Sequence, residues 1–163
     1  MKIEGIDRVV IAVKDLDKAA EFLSKLLGVE FEEVTNPVAA AGGVRFTVGA
    51  IPQKCTLSIE LIQPLDPLKD IRPPDPKAIA KSVEQVDAAL HALVFRVKDT
   101  SAVSSEAEKK GIRIYGKVEM EKIDDGPFSG VTNFKELFSE GEDTLGIHMA
   151  FVEYQESTNN KKG

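Results

Sequence analysis

Apolar and polar positions divide the first third of the chain into two kinds of segment. Ile6-Asp7-Arg8-Val9-Val10-Ile11-Ala12-Val13 is short, apolar and β-branched, the pattern of a buried strand. Leu16, Ala20, Leu23 and Leu27 then recur at helical spacing, and Ala19, Phe22 and Leu26 widen the stripe. Asp15 or Asp17 is placed to cap that helix, and Gly28 to end it in the left-handed conformation. Further strands are predicted over Val29–Val34, over Val44–Val48 behind Gly42-Gly43, and over Thr56–Ile62. Residues 5–63 therefore read β-α-β-β-β.

Five of the eight prolines, from Pro64 to Pro76, then interrupt the pattern. Proline fixes φ and lacks an amide donor, so residues 64–89 read as a stiff connection, with a short helix over Lys77–Val83. The first pattern returns at Leu90–Val97, a strand. Asp99 or Thr100 caps a weaker helix that Gly111 ends, and strands follow at Ile112–Tyr115, Val131–Phe138 and Thr144–Tyr154. Lys117 to Asp125 is rich in charge and reads as a solvated loop, and residues 155–163 as a disordered tail. At an offset of 84, Val13-Lys14-Asp15 falls on Val97-Lys98-Asp99 and Arg8 on Ala92; one gap later Gly28 falls on Gly111. The predicted fold class is α+β. Two βαβββ modules, 5–63 and 90–154, form curved mixed sheets around a concave cavity with helices outside.

Composition narrows the function class. The chain has 163 residues, 42% hydrophobic and 29% charged, which suits a globular protein. It lacks the run of roughly 20 apolar residues that a spanning helix needs, so no membrane partner is expected. A net charge of −6 argues against a nucleic-acid partner. Met1-Lys2-Ile3-Glu4-Gly5 lacks the apolar run of a secretory signal, and Cys55 is the single cysteine; the expectation is a cytoplasmic protein with no internal disulfide. Cys55 reads as an inert thiol at the start of a strand.

The segments "IDRVVIAVKDLDKAAEFLSKLLGVEF", "IELIQPL", "LHALVFRVKD…KKGIRI" and "EDTLGIHMAFVEY" resemble the vicinal oxygen chelate superfamily of glyoxalases, bleomycin-resistance proteins and dioxygenases. The look is closest to the methylmalonyl-CoA epimerase and glyoxalase I branch. The resemblance implies a divalent metal held by one ligand from each of four strands. Those positions fall on Arg8, Glu60, Ala92 and Ala150, of which only Glu60 keeps a ligand. No metal and no other cofactor is therefore expected. Pairing of two copies into a homodimer is a further expectation of the resemblance.

Strand alternation from those positions puts Arg8, Val10 and Ala12, then Ser58, Glu60 and Ile62, on the concave side. Ala92, Val94 and Arg96, then His148, Ala150 and Val152, share that side. Val9, Ile11 and Val13, Leu57, Ile59 and Leu61, Leu93, Phe95 and Val97, and Ile147, Met149 and Phe151 make the opposite face apolar, which suits the helices, and His91 shares its parity. Two candidate catalytic residues follow: Glu60 as acceptor or base, and His148 as acid–base residue. Arg8, Ser58, Val94 and Arg96 are candidate binding residues; Arg8 pairs with Glu60 and anchors a small ligand, an anionic one if its charge is free. Arg45 is a weaker candidate. Phe128, Phe134 and Phe138 supply core or lining. Three functions stay open. One is a metal-independent lyase or isomerase acting on a small oxygenated or acyl substrate. Another is a non-catalytic small-molecule-binding protein of the resistance type. The last is a metal-dependent lyase or epimerase with a rearranged site.

Overall fold

The computed structural model describes residues 2–34, 41–50, 57–124 and 126–156. Strand β1 (Ile3–Val13) leads to helix α1 (Leu16–Leu27), a two-residue strand β2 (Glu32–Glu33), β3 (Val44–Ala50) and β4 (Ser58–Pro64). Helix α2 (Pro76–Ser82) lies in the connection. The pattern then repeats as β5 (Ala88–Val97), α3 (Thr100–Lys109), β6 (Ile114–Lys122), β7 (Thr132–Ser139) and β8 (His148–Gln155), with 3-10 turns at Gly126–Phe128 and Gly141–Thr144. The eight strands of the described residues join in one curled mixed sheet, ordered β2-β3-β4-β1-β5-β8-β7-β6. Each half runs in the same internal order. β1 is parallel to β4, β5 is parallel to β8, and the halves meet at the antiparallel β1–β5 pair.

Local chemistry explains the helices. The Asp15 carboxylate accepts from the amide of Lys18 at the head of α1, and Gly28 closes it at φ 67°. Asp75 caps α2, with Pro76 in its first turn, and Asp99 caps α3. Leu16, Ala20 and Leu23 of α1 pack on Ile59 and Leu61. Val103 of α3 packs on Val97, Leu137 and Phe151. The alternation therefore divides the two faces as expected, and Val10, Ile62, Val94 and Val152 belong to the concave cluster.

Several predicted features differ. Phe22, Leu26 and Leu27 do not join the packed stripe of α1: they are 62%, 63% and 44% exposed. Phe22 sits about 100–120° and Leu26 about 60–80° around the helix from Leu23 and Leu16, beyond the sheet beneath, and Leu27 is the last residue of the helix. The strand expected over Val29–Val34 shrinks to the exposed pair Glu32–Glu33, an edge blunted by charge. The charged segment expected as a loop is instead most of β6, in which Val118 and Met120 face the core between exposed Lys117, Glu119 and Glu121. Its residues pair with β7 from Ile114 to Lys122. The last strand starts at His148, because Leu145 and Gly146 take left-handed conformations and turn the chain there. Cys55 and residues 157–163 of the expected tail lie outside the described residues. Among the described residues no helix is long and apolar enough to cross a membrane.

Candidate functional site

Three irregularities in strand pairing build the site. Opposite β5, Ile6 pairs with Phe95 and Arg8 with Val94, so Asp7 is an extra residue on β1. Opposite β1, Val10 pairs with Ala92 and Ile11 with Leu90, so His91 is an extra residue on β5. On β6, Ile114 and Gly116 pair with the consecutive residues Ser139 and Phe138, which leaves Tyr115 extra. A bulge re-aims the side chain it inserts. Asp7 reaches Arg8, its neighbour in sequence, and His91 and Tyr115 line the cavity. Asp7 and His91 are separated by the 84-residue offset of the repeat, so each half carries a bulge at the same position.

His91 corrects a sequence expectation. Simple alternation sends it to the helix side, but the bulge turns it onto the concave face, where it is 9% exposed. Its ring lies 4.8 Å from that of His148, between centroids, at 34°. Tyr115 meets His148 edge-on at 82°.

The polar centre of the cavity is Arg8, 5% exposed. Its Nε donates to Glu60 Oε2 at 2.6 Å, Nη2 to Glu136 Oε1 at 2.6 Å and Nη1 to Asp7 Oδ1 at 2.8 Å. Tyr154 donates its hydroxyl to Asp7 Oδ2 at 2.8 Å, fixing that carboxylate from behind. The Arg8 guanidinium also lies 5.3 Å from the centre of the Phe128 ring. Arg8 is on β1 and Glu136 on β7, so this contact spans the concave face. Nε and Nη2 form one edge of the planar guanidinium, the edge that commonly holds both oxygens of one carboxylate. Here that edge holds two separate carboxyl groups.

Such crowding of like charge has a titration consequence. Burial, reinforced by Glu60 and Asp7 and opposed by Arg8, pushes the Glu136 carboxyl up to about 7. Burial works against the Arg8 charge, yet Glu136, Glu60 and Asp7 outweigh it and hold the guanidinium more firmly protonated than usual. Burial and the neighbouring His148 bring His91 down to about 4, against the opposing pull of Asp75. Burial raises Tyr115 above its ordinary value.

The remaining wall is apolar, with Val10, Phe46, Ile62, Ile79, Val94 and Phe138 prominent, and encloses about 110 Å³. The proline-rich connection contributes Pro74, Asp75 and Ile79 to it. Arg8, Glu60, Val94 and His148 thus share one cavity. Ser58 and Arg96 do not line it. Arg96 lies 3.2 Å from the Tyr154 ring centre and donates to the Tyr154 carbonyl oxygen. Arg45 is engaged outside with Glu33 and Asp17. Sequence reasoning missed Glu136 and Asp7. Glu136 was detectable as an acid between Phe134 and Phe138 on one face of a strand, while Asp7 depends on a bulge that alternation does not announce.

A metal at the four positions implied by the resemblance does not fit these residues. Arg8 brings a cation where a ligand is needed and already holds Glu60, while Ala92 and Ala150 have no donor atom. Among the described residues no group of three or more His, Cys, Asp or Glu side chains is arranged to hold a metal ion.

Comparison with known proteins agrees with the topology. Methylmalonyl-CoA epimerase from Mycobacterium tuberculosis is 28% identical, with a TM-score of 0.65 over 93% of this chain and 88% of that one. A Streptomyces coelicolor methylmalonyl-CoA epimerase variant, in complex with 2-nitronate-propionyl-CoA, shares the fold at 22% identity. Its TM-score is 0.66, over 96% of this chain and 99% of that one. No curated protein matches the chain. Residues 7–128 match the family model, which takes in the bulge at Asp7, Arg8, Glu60 and His91, and the chain belongs to the glyoxalase/bleomycin resistance protein/dioxygenase superfamily.

Proposed function

We propose that this chain is a metal-independent isomerase or lyase that moves a proton on a small acyl or oxygenated substrate. The observation that carries the reading is the placement of Glu60 and Glu136 on one guanidinium edge inside an apolar cavity. Two carboxyl groups so placed are best served by one proton between them, giving an acid and a base side by side at neutral pH. The charged member takes a proton from a carbon next to a carbonyl, and the protonated member returns one. Arg8 has five N–H groups and uses three on carboxylates. The other two are available to a developing enolate oxygen, the task that a metal performs elsewhere. His148 serves as a hydrogen-bonding wall in this scheme, because its Nδ1 is directed at the Ser139 carbonyl oxygen, 3.1 Å away.

Likeness to methylmalonyl-CoA epimerases supports an acyl substrate and isomerase-type chemistry. The reading extends to cytoplasmic residence and to pairing of two copies. The test is deuterium uptake from D2O into a panel of acyl thioesters and 2-oxo acids, with chelator present. Glu60→Gln and Glu136→Gln should each slow exchange by about 10²-fold or more while the substrate still binds. Exchange that requires an added divalent metal, or that both variants sustain at the wild-type rate, refutes the proposal.

A second reading, a non-catalytic binding protein, draws on a different observation. Arg8, Asp7, Glu60 and Glu136 hold one another in place without a ligand, as a preformed receptor requires. Saturable binding across the panel with no exchange would select it.

A further inference from the structure

We infer that the end of the cavity away from Arg8 binds an uncharged hydroxyl group, whose one proton is taken by the Nε2 lone pair of His91 or His148. The inference rests on the cavity being the substrate site, as proposed above, but not on catalysis.

The hydrogen-bond network assigns both tautomers. Ser82 donates its one hydroxyl proton to the Ala78 carbonyl oxygen at 3.0 Å. Its oxygen therefore accepts from His91, whose Nδ1 lies 3.0 Å away and carries the proton. A carbonyl oxygen can only accept, so the His148 Nδ1 facing Ser139 also carries a proton. In the neutral imidazole each ring then presents Nε2 as a bare lone pair, and among the described residues neither Nε2 has a hydrogen-bond partner. Thr47 Oγ1 is the only sealed, unpartnered side-chain polar atom among the described residues. The two Nε2 atoms are therefore open, on rings that line the cavity.

The rings are held in place. Gly141 backs the His148 ring so closely that a Cβ there would lie 3.0 Å from Nε2, and His91 packs on the same ring. Two fixed acceptors ask for a donor. A carboxylate offers only lone pairs to them and meets Glu60 and Glu136 across the same cavity. An ether fills the space and leaves both nitrogens unpaired. A hydroxyl supplies a proton to one of the two nitrogens, and the apolar walls take the carbon skeleton.

Matched probes test this by binding rather than turnover: 2-phenylethanol, its methyl ether, phenylacetate and 2-phenylethylamine, followed by amide NMR shifts. The alcohol should bind about tenfold or more tightly than the ether and the carboxylate. His91→Phe combined with His148→Phe, which keeps both aromatic rings, should erase that preference. Imidazole ¹⁵N spectra of the wild type at about pH 8–9, where imidazoles are neutral, should show both Nε2 atoms unprotonated, whether or not the variant folds. Equal or tighter binding of the ether, carboxylate or amine overturns the inference, as does a proton on either Nε2. Proton exchange without an alcohol preference would sink this inference alone; an alcohol preference without exchange would sink only the catalytic reading.

Discussion

Replacing Glu136 by glutamine should make the protein more stable at alkaline pH and leave it nearly unchanged in mild acid. The carboxyl is 5% exposed and has one side-chain partner, Arg8, which it shares with Glu60 and Asp7. Its pKa rises from 4.5 in the unfolded chain to about 7 in the fold. The raised value means that the folded state holds the proton more tightly. Stability tied to this group is therefore complete below about 4.5 and is lost as the pH climbs through about 7. A displacement from 4.5 to about 7 corresponds to roughly 3 kcal/mol once the group is fully ionised. Glutamine keeps the shape and an accepting oxygen for Arg8 but never ionises. His91 has the opposite sign: its pKa is lowered, so its contribution is present above about 6.5 and lost as the pH falls through about 4. It occurs in both proteins and cancels in the difference. Urea unfolding of the two proteins should agree within about 1 kcal/mol near pH 5 and diverge by about 2–3 kcal/mol near pH 8, the variant being the more stable. A difference that stays flat with pH, or that favours the wild type at pH 8, refutes the crowded-carboxyl argument.

Four other outcomes are expected. Arg8→Met leaves three carboxylates around an apolar side chain and should cost about 3–5 kcal/mol in urea unfolding, far more than the loss of an exposed ion pair. Gly141→Ala puts a methyl 3.0 Å from the His148 ring; it should cost about 1–3 kcal/mol and shift the His148 ring resonances, which NMR reads directly. Zinc, nickel, cobalt and manganese should each leave the melting temperature unchanged. A tight site for one metal per chain would show that Arg8 does not replace the ion. Phe22→Ser with Leu26→Ser alters exposed positions and should change stability by less than about 0.5 kcal/mol. A fall in sedimentation coefficient for that double variant would instead locate the pairing of two copies on α1.

Most of the fold was legible because two periods govern it. The period of two along β1, β4, β5 and β8 separated a purely apolar helix side from a mixed concave side. Cap candidates at Asp15 or Asp17 and at Asp99 or Thr100 marked where two helices begin, and Asp15 and Asp99 are the caps; sequence reasoning missed the cap at Asp75. The same period was present in Lys117-Val118-Glu119-Met120-Glu121, where the density of charge concealed a half-buried edge strand. Phe22 and Leu26 misled for the reverse reason: hydrophobicity gives a direction on a helix but not the width of the surface beneath it.

The site was only half legible, and the missing half has one physical origin. Arg8, Glu60 and His148 obey alternation, so sequence placed them together. Asp7, His91 and Tyr115 sit where the ladder gains a residue, and a single insertion reverses which face a side chain takes. The two bulges at Asp7 and His91 occupy one position of the repeat but carry different chemistry. In the first half the extra residue is an acid that completes a charged cluster with Arg8. In the second it is an imidazole that packs, tilted, against His148. The repeat thus supplies one backbone device twice, and divergence of the side chains gives the cavity two unlike ends. That asymmetry links the two proposals. Proton transfer belongs to the Arg8 end, where carboxyl groups crowd, and hydroxyl recognition belongs to the end where acceptors are fixed and uncharged groups fit. A mechanism that needed both ends to act on the same atom would have to explain why symmetry was abandoned at the bulged position.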